Sequence, residues 1–323
     1  MQAIVLAGGY ATRLWPITKN RPKMLLPIGD STVIGTVFNS LERDNRIEEV
    51  YVSTNEKFAD KFEEYLEKSE YEKPQLSVEE TNEESEKFGV IGALVQLIDR
   101  EGLTEDTVVI GGDNLISFDV SDFLDRFQSN QEPTLAANDL GSYDRASEYG
   151  ILQTNERSEV VDFQEKPNEP KSTLASVACY GFPSETLPKL DRYLQGDSNA
   201  DEPGWFIEWL QDRETVHAYT FSEEWFDIGT PESYLDAVAW HLGGTNHIHP
   251  DAELDDVTLG ENVQIMANAE LEDVTIDNSV VFNGTTIRDS EIRRSIIDRN
   301  TDVRSLDLSG AVIGEHAFVE SPS

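Results

Sequence analysis

AIVLAGGYATRLWPITKNRPKMLLPIGD, Ala3 to Asp30, starts as a strand and continues as a loop of a single charge sign. Ala3 to Ala7 is a short apolar run rich in branched side chains, and Gly8-Gly9 closes it. Asp and Glu make up 63 of the 323 residues, yet none precedes Asp30, while Arg13, Lys19, Arg21 and Lys23 all lie in this stretch. A glycine pair directly after a strand lets backbone N–H groups come close to an anion. Arg13 offers a bidentate fork and Lys23 a compact charge, two ways of holding phosphate. A carboxylate among them would repel a polyphosphate, which accounts for the missing acids. Lys19 and Arg21 read as solvated loop charges. The segment carries neither GxxxxGK[ST] nor GxGxxG, so it reads as a polyphosphate cradle of another kind.

Outward from this stretch, apolar runs alternate with amphipathic ones. Strands are predicted at Ala3 to Ala7, Glu49 to Thr54, Thr107 to Gly112 and Pro133 to Asn138, and helices at Thr32 to Leu41, Phe58 to Lys68 and Gly89 to Asp99. That alternation implies an α/β fold, a Rossmann-like, mostly parallel sheet flanked by helices. Ligands bind beyond the carboxyl ends of such strands, so the informative loops are Gly8 onward and Gly112-Asp113-Asn114. Trp205, Phe206 and Trp209 have helical spacing and read as core. After Gly243-Gly244 the texture changes. Single aliphatic residues recur every five or six positions, at Ile248, Leu254, Leu259, Ile265, Leu271, Ile276 and Ile287. Each would offer one inward side chain to a stack, as in a β-helix. The expected division is a catalytic domain at 1–243 and a β-helix domain at 244–323. Because such coils stack open-ended, a homo-oligomer through the β-helix is expected, and its removal should leave the site loops intact.

The formal charge of −38 excludes nucleic acid and anionic membrane surfaces as partners, since both would repel the chain. It reads instead as a halophilic habit: in molar salt the screening length falls to about 3 Å and self-repulsion costs little. Cys179 is the only cysteine, which excludes an intramolecular disulfide and a cysteine zinc cluster. His241, His247, His249 and His316 have no metal-ligand spacing and read as surface residues. No signal core or long apolar run is present, so a cytoplasmic location is expected.

LAGGYATRLWPITKNRPKMLLPI (Leu6 to Ile28) resembles the signature of the sugar-1-phosphate nucleotidylyltransferases, GGxGTRLxPxTxxxPKxLLPI. The likeness continues in GGDN (Gly111 to Asn114), FQEKP (Phe163 to Pro167) and WFDIGTPESYLDA (Trp225 to Ala237), four motifs in the family's order. The tail resembles the left-handed β-helix that many members carry. The resemblance implies that Leu6, Gly8, Gly9, Gly89, Gly92 and Asp113 hold the nucleotide. Arg13 and Lys23 are implied as the catalytic cations on the phosphates, and Asp113 and Asp227 as the ligands of Mg²⁺. Gly150, Glu165 and Lys166 are implied to hold the sugar phosphate.

These roles suit the chemistry. A sugar phosphate is already a nucleophile near neutral pH, its second pKa being about 6, so no catalytic His or Ser is required. The task is to bring two anions into line, by positioning and electrostatics. The implied reaction joins a nucleoside triphosphate to a sugar 1-phosphate with release of pyrophosphate. Glucose 1-phosphate with dTTP or UTP is the first expectation, and mannose 1-phosphate with GTP the alternative. A second activity of acyl transfer in the tail and a non-catalytic assembly subunit are rival readings. The retention of Arg13, Lys23, Asp113 and Asp227 together argues against the subunit. Three positions depart from the pattern. Ala11 replaces a loop glycine, so the loop must avoid left-handed geometry there or accept strain. Glu86 to Leu94 lacks the glutamine that would contact thymine or uracil, and Ala178 stands where glycine is usual.

Overall fold

The first strand, β1 (Gln2–Leu6), is buried through Ala3, Ile4 and Val5, as a strand between two neighbours must be. In a computed structural model that describes residues 1–79, 88–196 and 199–322, it pairs in parallel with β2 (Glu49–Asn55) on one side and β4 (Thr107–Gly111) on the other. Beyond β2 lies β3 (Pro74–Glu79), again parallel. Helices α1 (Val33–Arg43), α2 (Glu56–Lys68) and α3 (Gly89–Glu101) fall between successive strands. The order β3-β2-β1-β4 places the change of winding direction between β1 and β4, where an open α/β sheet leaves a crevice for ligand.

The sheet then turns antiparallel. β5 (Thr134–Asp139), β6 (Gly150–Thr154) and β7 (Val160–Glu165) precede β8 (Leu174–Phe182), which runs antiparallel to β4, β5 and β6. β9 (His217–Phe221) closes one branch in parallel with β5. The helix α4 (Val120–Asn130) buries Phe123, Leu124 and Phe127. Helices α5 (Leu187–Leu194) and α6 (Pro203–Gln211) bury Leu190 and Phe206 in the same core as Leu97. Phe206 stacks with Trp209 as the helical spacing requires, whereas Trp205 stands 37% exposed on the outer face of α6.

The chain forms two compact units. One comprises Met1–Gly9 with Ile34–Trp225, the other Tyr10–Val33 with Phe226–Ser323. Within the second unit, the cationic segment rests on the coils of the tail. Arg21 Nη2 lies 2.8 Å from Asp298 Oδ1, with side-chain exposures of only 15% and 2%, and its guanidinium stacks over Phe282. Asn20 donates to Glu315 at 2.6 Å, and Gly29 N–H to Gln264 Oε1 at 2.8 Å. Tyr234, on α7 (Pro231–Leu242), donates to Pro27 O at 2.6 Å. Arg21 is therefore not a solvated charge: its counterion is supplied by the tail. The expectation that the tail can be removed without disturbing the cationic loop is overturned for the same reason.

The tail itself is a β-helix of parallel strands. Gln264 pairs with Val280, Val280 with Ile296 and Ile296 with Val312, a 16-residue step per coil. Three columns fill the interior: Ile265, Val281 and Ile297; Leu271, Ile287 and Val303; Ile276 and Ile292. Corners are left-handed backbone at Asn262, Asn278, Arg294 and Gly310, and at Asn268, Gly284, Asn300 and His316. Asn and Gly tolerate that geometry at small cost. Leu254, read as inward, is 37% exposed because its strand, Glu253–Leu259, belongs to the first coil and has a neighbour on one side only.

A buried ion pair broken from one side leaves an uncompensated charge, at a cost of about 3–5 kcal/mol. Asp298→Ala should therefore lower the unfolding free energy by roughly that amount in denaturant titrations. The double variant Arg21→Met, Asp298→Leu should recover most of the loss, and a destabilisation under about 1 kcal/mol for Asp298→Ala would show the pair to be peripheral.

Candidate active site

In the first unit, two loops leave the sheet on either side of the winding change. Gly8 and Gly9 follow β1, and Gly112 and Asp113 follow β4. They are joined where Gly112 N–H donates to Leu6 O at 2.9 Å. Asn55, the last residue of β2, donates to Gly8 O at 2.7 Å and also caps α2 through Phe58 N–H. Thr54 Oγ1 holds Ala7 O at 3.3 Å. The glycine turn is thus fixed by β2. A side chain at Gly9 would meet no protein atom within 4 Å, so the fold leaves open room there instead of filling it.

Asp113 is oriented by its neighbour. Asn114 Nδ2 donates to Asp113 Oδ1 at 2.9 Å, and Trp225 Nε1 donates to Asn114 Oδ1 at 2.7 Å. Asn114 is 4% exposed, so this arrangement is set before any ligand arrives. A Cβ at Gly111 would come within 3.1 Å of the Ala178 methyl, which shows what the alanine in place of glycine does: it packs against the base of this loop.

The sugar-phosphate candidates gather around one carboxylate. A Cβ at Gly150 would lie 2.7 Å from Glu165 Oε2, and one at Gly204, in the first turn of α6, would collide with the same atom. Both glycines make room for Glu165. Gly204 was not read from the sequence, and no pattern there marks it, because its neighbour in space is 39 positions away. Burial pushes the Glu165 carboxyl up to about 7, with Glu202 adding to the rise and Lys166 opposing it. Lys166 pairs with Glu202. Its backbone is left-handed, φ 44°, held by Lys166 N–H to Tyr149 O at 3.1 Å. Strained non-glycine backbone is maintained where the surroundings over-determine it.

Gly89 opens α3 with φ 74°, and a Cβ there would strike the carbonyl of Ala200. A Cβ at Gly92 would lie 2.9 Å from Phe88 Cβ. These two glycines have packing reasons of their own. Glu86 and Lys87, which begin the stretch that departs from the family pattern, lie outside the described residues.

In the second unit, the cationic loop and the start of α7 meet. A Cβ at Gly229 would sit 3.1 Å from Arg13 Nη2, so the end of the Arg13 guanidinium lies beside Gly229, two residues past Asp227. The motif has a capping reason: Thr230 Oγ1 accepts from Ser233 N–H, and Ser233 Oγ accepts from the N–H groups of Thr230 and Gly229 at 3.0 and 3.1 Å. Ala11 adopts φ 48°, so the loop takes the left-handed geometry and accepts strain of about 1–2 kcal/mol. Thr18 Oγ1 fixes Ala11 O at 2.8 Å. Lys23 stands in a short turn, Lys23–Leu25, whose Met24 is buried. Among the described residues no group of three or more His, Cys, Asp or Glu could hold a metal ion.

The nucleotidyl transferase family matches residues 2–242, and the chain belongs to it. It is 31% identical over 237 residues to a Sulfolobus acidocaldarius protein named "Putative mannose-1-phosphate guanyltransferase", covering 73% of this chain and 61% of that one. It is 24% identical over 352 residues to "Bifunctional protein GlmU" of Methanococcus aeolicus, covering 98% and 78%. It is 28% identical over 231 residues to "Glucose-1-phosphate adenylyltransferase" of Acetivibrio thermocellus, covering 66% of this chain and 52% of that one. In two of these three the chain spans less than two thirds of the relative. Among solved structures, a "Putative Glucose-1-Phosphate Thymidylyltransferase" from Bacillus anthracis, in complex with a sucrose, superposes with a TM-score of 0.64 at 25% identity, covering 75% of this chain and 95% of that one. No described helix is long and apolar enough to cross a membrane.

Two outcomes test the geometry. A carboxyl raised in the folded state penalises folding once it ionises; the penalty is absent below the ordinary value of 4.5 and complete above about 7. Glu165→Gln should thus leave the melting temperature little changed at pH 4.5 and raise it at pH 8, and an equal effect at both would place Glu165 in water. Gly229→Ala presses only on the far end of Arg13, so it should lower turnover at least tenfold with a melting shift of a degree or two.

Proposed function

We propose that the protein joins a nucleoside triphosphate to a sugar 1-phosphate, giving a nucleoside diphosphate sugar and pyrophosphate. The observation that carries this reading is the pair of loops at the winding change, Gly8-Gly9 and Gly112-Asp113, tied by the Gly112 to Leu6 hydrogen bond. Gly8 and Gly9 would leave backbone close to the nucleotide, with open room over Gly9. Leu6, Gly89 and Gly92 would complete the nucleotide's surroundings. Arg13 and Lys23 would hold its phosphates. Gly150, Glu165 and Lys166 would hold the sugar phosphate, with Glu165 accepting from sugar hydroxyls once ionised.

In this reading a sugar-phosphate oxygen attacks the α-phosphorus, a new P–O bond forms, and the bond to the β-phosphate breaks as pyrophosphate leaves. Arg13 and Lys23 offset the charge that gathers on the leaving group. Asp113 and Asp227 would hold Mg²⁺, which when bound neutralises phosphate charge and draws phosphate oxygens together. Two hard carboxylates suit that ion, which takes few protein oxygens and keeps waters and phosphates, so a larger acidic cluster is not required.

Glucose 1-phosphate with dTTP or UTP is the first reading, favoured by the name of the Bacillus anthracis structure. Mannose 1-phosphate with GTP is the second reading, favoured by the name of the Sulfolobus relative. A homo-oligomer assembled through the β-helix and a cytoplasmic setting fit the open-ended coils and the charge.

The test is pyrophosphate release from a panel of triphosphates and sugar 1-phosphates at high KCl. Asp227→Asn removes one negative charge and a strong metal oxygen while keeping the side chain's size. If positioning of the phosphates through it is worth about 4 kcal/mol at the transition state, turnover should drop roughly a thousandfold in both directions. Near-normal turnover in a folded Asp227→Asn variant would remove this residue from the site.

A further inference from the structure

Asp113 follows β4 and Lys166 follows β7, and in the sheet the strands β8 and β6 lie between them. Three strand spacings amount to roughly 14 Å, so the ladder itself does not join the two loops. Trp225 touches a residue of each. Its Nε1 donates to Asn114 Oδ1 at 2.7 Å. Its ring packs against that of Tyr149, with centroids 4.9 Å apart and planes tilted by 60°. Tyr149 O in turn accepts from Lys166 N–H at 3.1 Å. The backbone before Trp225 is fixed as well, since Ser117 donates to Glu224 O from Oγ at 2.7 Å and from N–H at 3.2 Å. The fold alone therefore places this half-buried indole.

The N–H and the ring of Trp225 do different things. An indole N–H can only donate, whereas an amide has one end that donates and one that accepts. Because the indole takes Asn114 Oδ1, the amide turns its Nδ2 toward Asp113, to whose Oδ1 it donates at 2.9 Å. The reverse orientation would set oxygen against oxygen. Room is kept for this pair: a Cβ at Gly111 would lie 2.5 Å from Asn114 Nδ2 and 3.0 Å from Asp113 Oδ1. The ring, with Tyr149, packs against the buried cluster of Ala146, Ile151 and Ala175. That packing fixes the Tyr149 carbonyl, which holds Lys166 in its left-handed backbone, φ 44°. A backbone conformation that costs energy persists only while its surroundings impose it. We infer that Trp225 is a positioning residue for both loops: its N–H sets the Asp113 carboxylate through Asn114, and its ring sets Lys166 through Tyr149. The inference rests on the proposed nucleotidyl transfer, in which Asp113 holds metal and Lys166 the sugar phosphate.

The experiment separates the two limbs. Trp225→Phe keeps a ring against Tyr149 and drops the N–H, whereas Tyr149→Leu drops the ring contact and keeps the N–H. Wild type and variants are titrated with Mn²⁺ at high KCl, read by electron paramagnetic resonance, with Asp113→Asn as the blank. Binding of glucose 1-phosphate and mannose 1-phosphate is measured by equilibrium dialysis, and their KM from pyrophosphate release. Trp225→Phe should bind Mn²⁺ about tenfold more weakly, as loss of a partner behind a metal ligand does, with sugar-phosphate binding and KM unchanged. Tyr149→Leu should weaken the sugar phosphates about tenfold and leave Mn²⁺ binding as it was. Added to Asn114→Leu, Trp225→Phe should lower Mn²⁺ affinity no further, because the N–H acts only through that amide. Should Asn114→Leu fail to fold, the split between the other two variants decides. A Trp225→Phe that loses on both ligands alike, or on neither, overturns the inference and leaves nucleotidyl transfer standing. Mn²⁺ bound equally by wild type and Asp113→Asn overturns the metal reading of Asp113, and the N–H limb with it. The expected split in binding, with no pyrophosphate released from any triphosphate, supports the positioning and overturns the transfer reaction.

Discussion

Arg21 and Asp298 form the contact on which the cationic segment depends. A guanidinium 15% exposed and a carboxylate 2% exposed cannot separate without stranding a charge in a dry interior. Around them, Asn20, Pro27 and Gly29 take hydrogen bonds from or to the tail and α7, so the segment from Tyr10 to Val33 is held along its length. A loop of 24 residues that carries Arg13 and Lys23 has little secondary structure of its own to hold them. The β-helix supplies the rigidity. Its three interior columns repeat every 16 residues, and rigid support of this sort is what positioning of charged groups needs.

The same segment shows how strain is tolerated. Ala11 sits in left-handed backbone where glycine would cost less, and Lys166 does likewise beside the sugar-phosphate candidates. Each is pinned by a hydrogen bond at its own backbone, from Thr18 to Ala11 O and from Lys166 N–H to Tyr149 O. Strain of this size is small beside the burial of the surrounding core, and both positions fall within motifs that carry the family resemblance.

Two carboxylates of the first unit, the buried Glu79 and the half-buried Glu165, have raised pKa values. Neither is placed to strengthen the fold. Glu165 is crowded by Gly150 and Gly204, which have no side chains to displace it, and Glu79 faces a glycine as well. The aspartate between them along the sheet edge, Asp113, is instead oriented through Asn114 and Trp225, as a group that must hold one geometry would be.

Local sequence determined much of this molecule. The four predicted strands and three predicted helices of the first half lie within about two residues of the observed ones at most of their ends, because apolar periodicity and glycine breaks are local signals. The stack of aliphatic residues in the tail was legible too, although Leu254 was not, since which coil lacks a neighbour is no property of its own neighbourhood. The Asn and Gly columns at the corners, spaced by 16, are a signal the chain carries openly. Tertiary structure alone decided the rest. The partner of Arg21 is 277 positions away, the glycine beside Arg13 is Gly229, and Glu79 comes to face Gly8 only because β3 is placed beside β2. Charge pairing and burial depend on distance through space, and a chain reports only distance along itself.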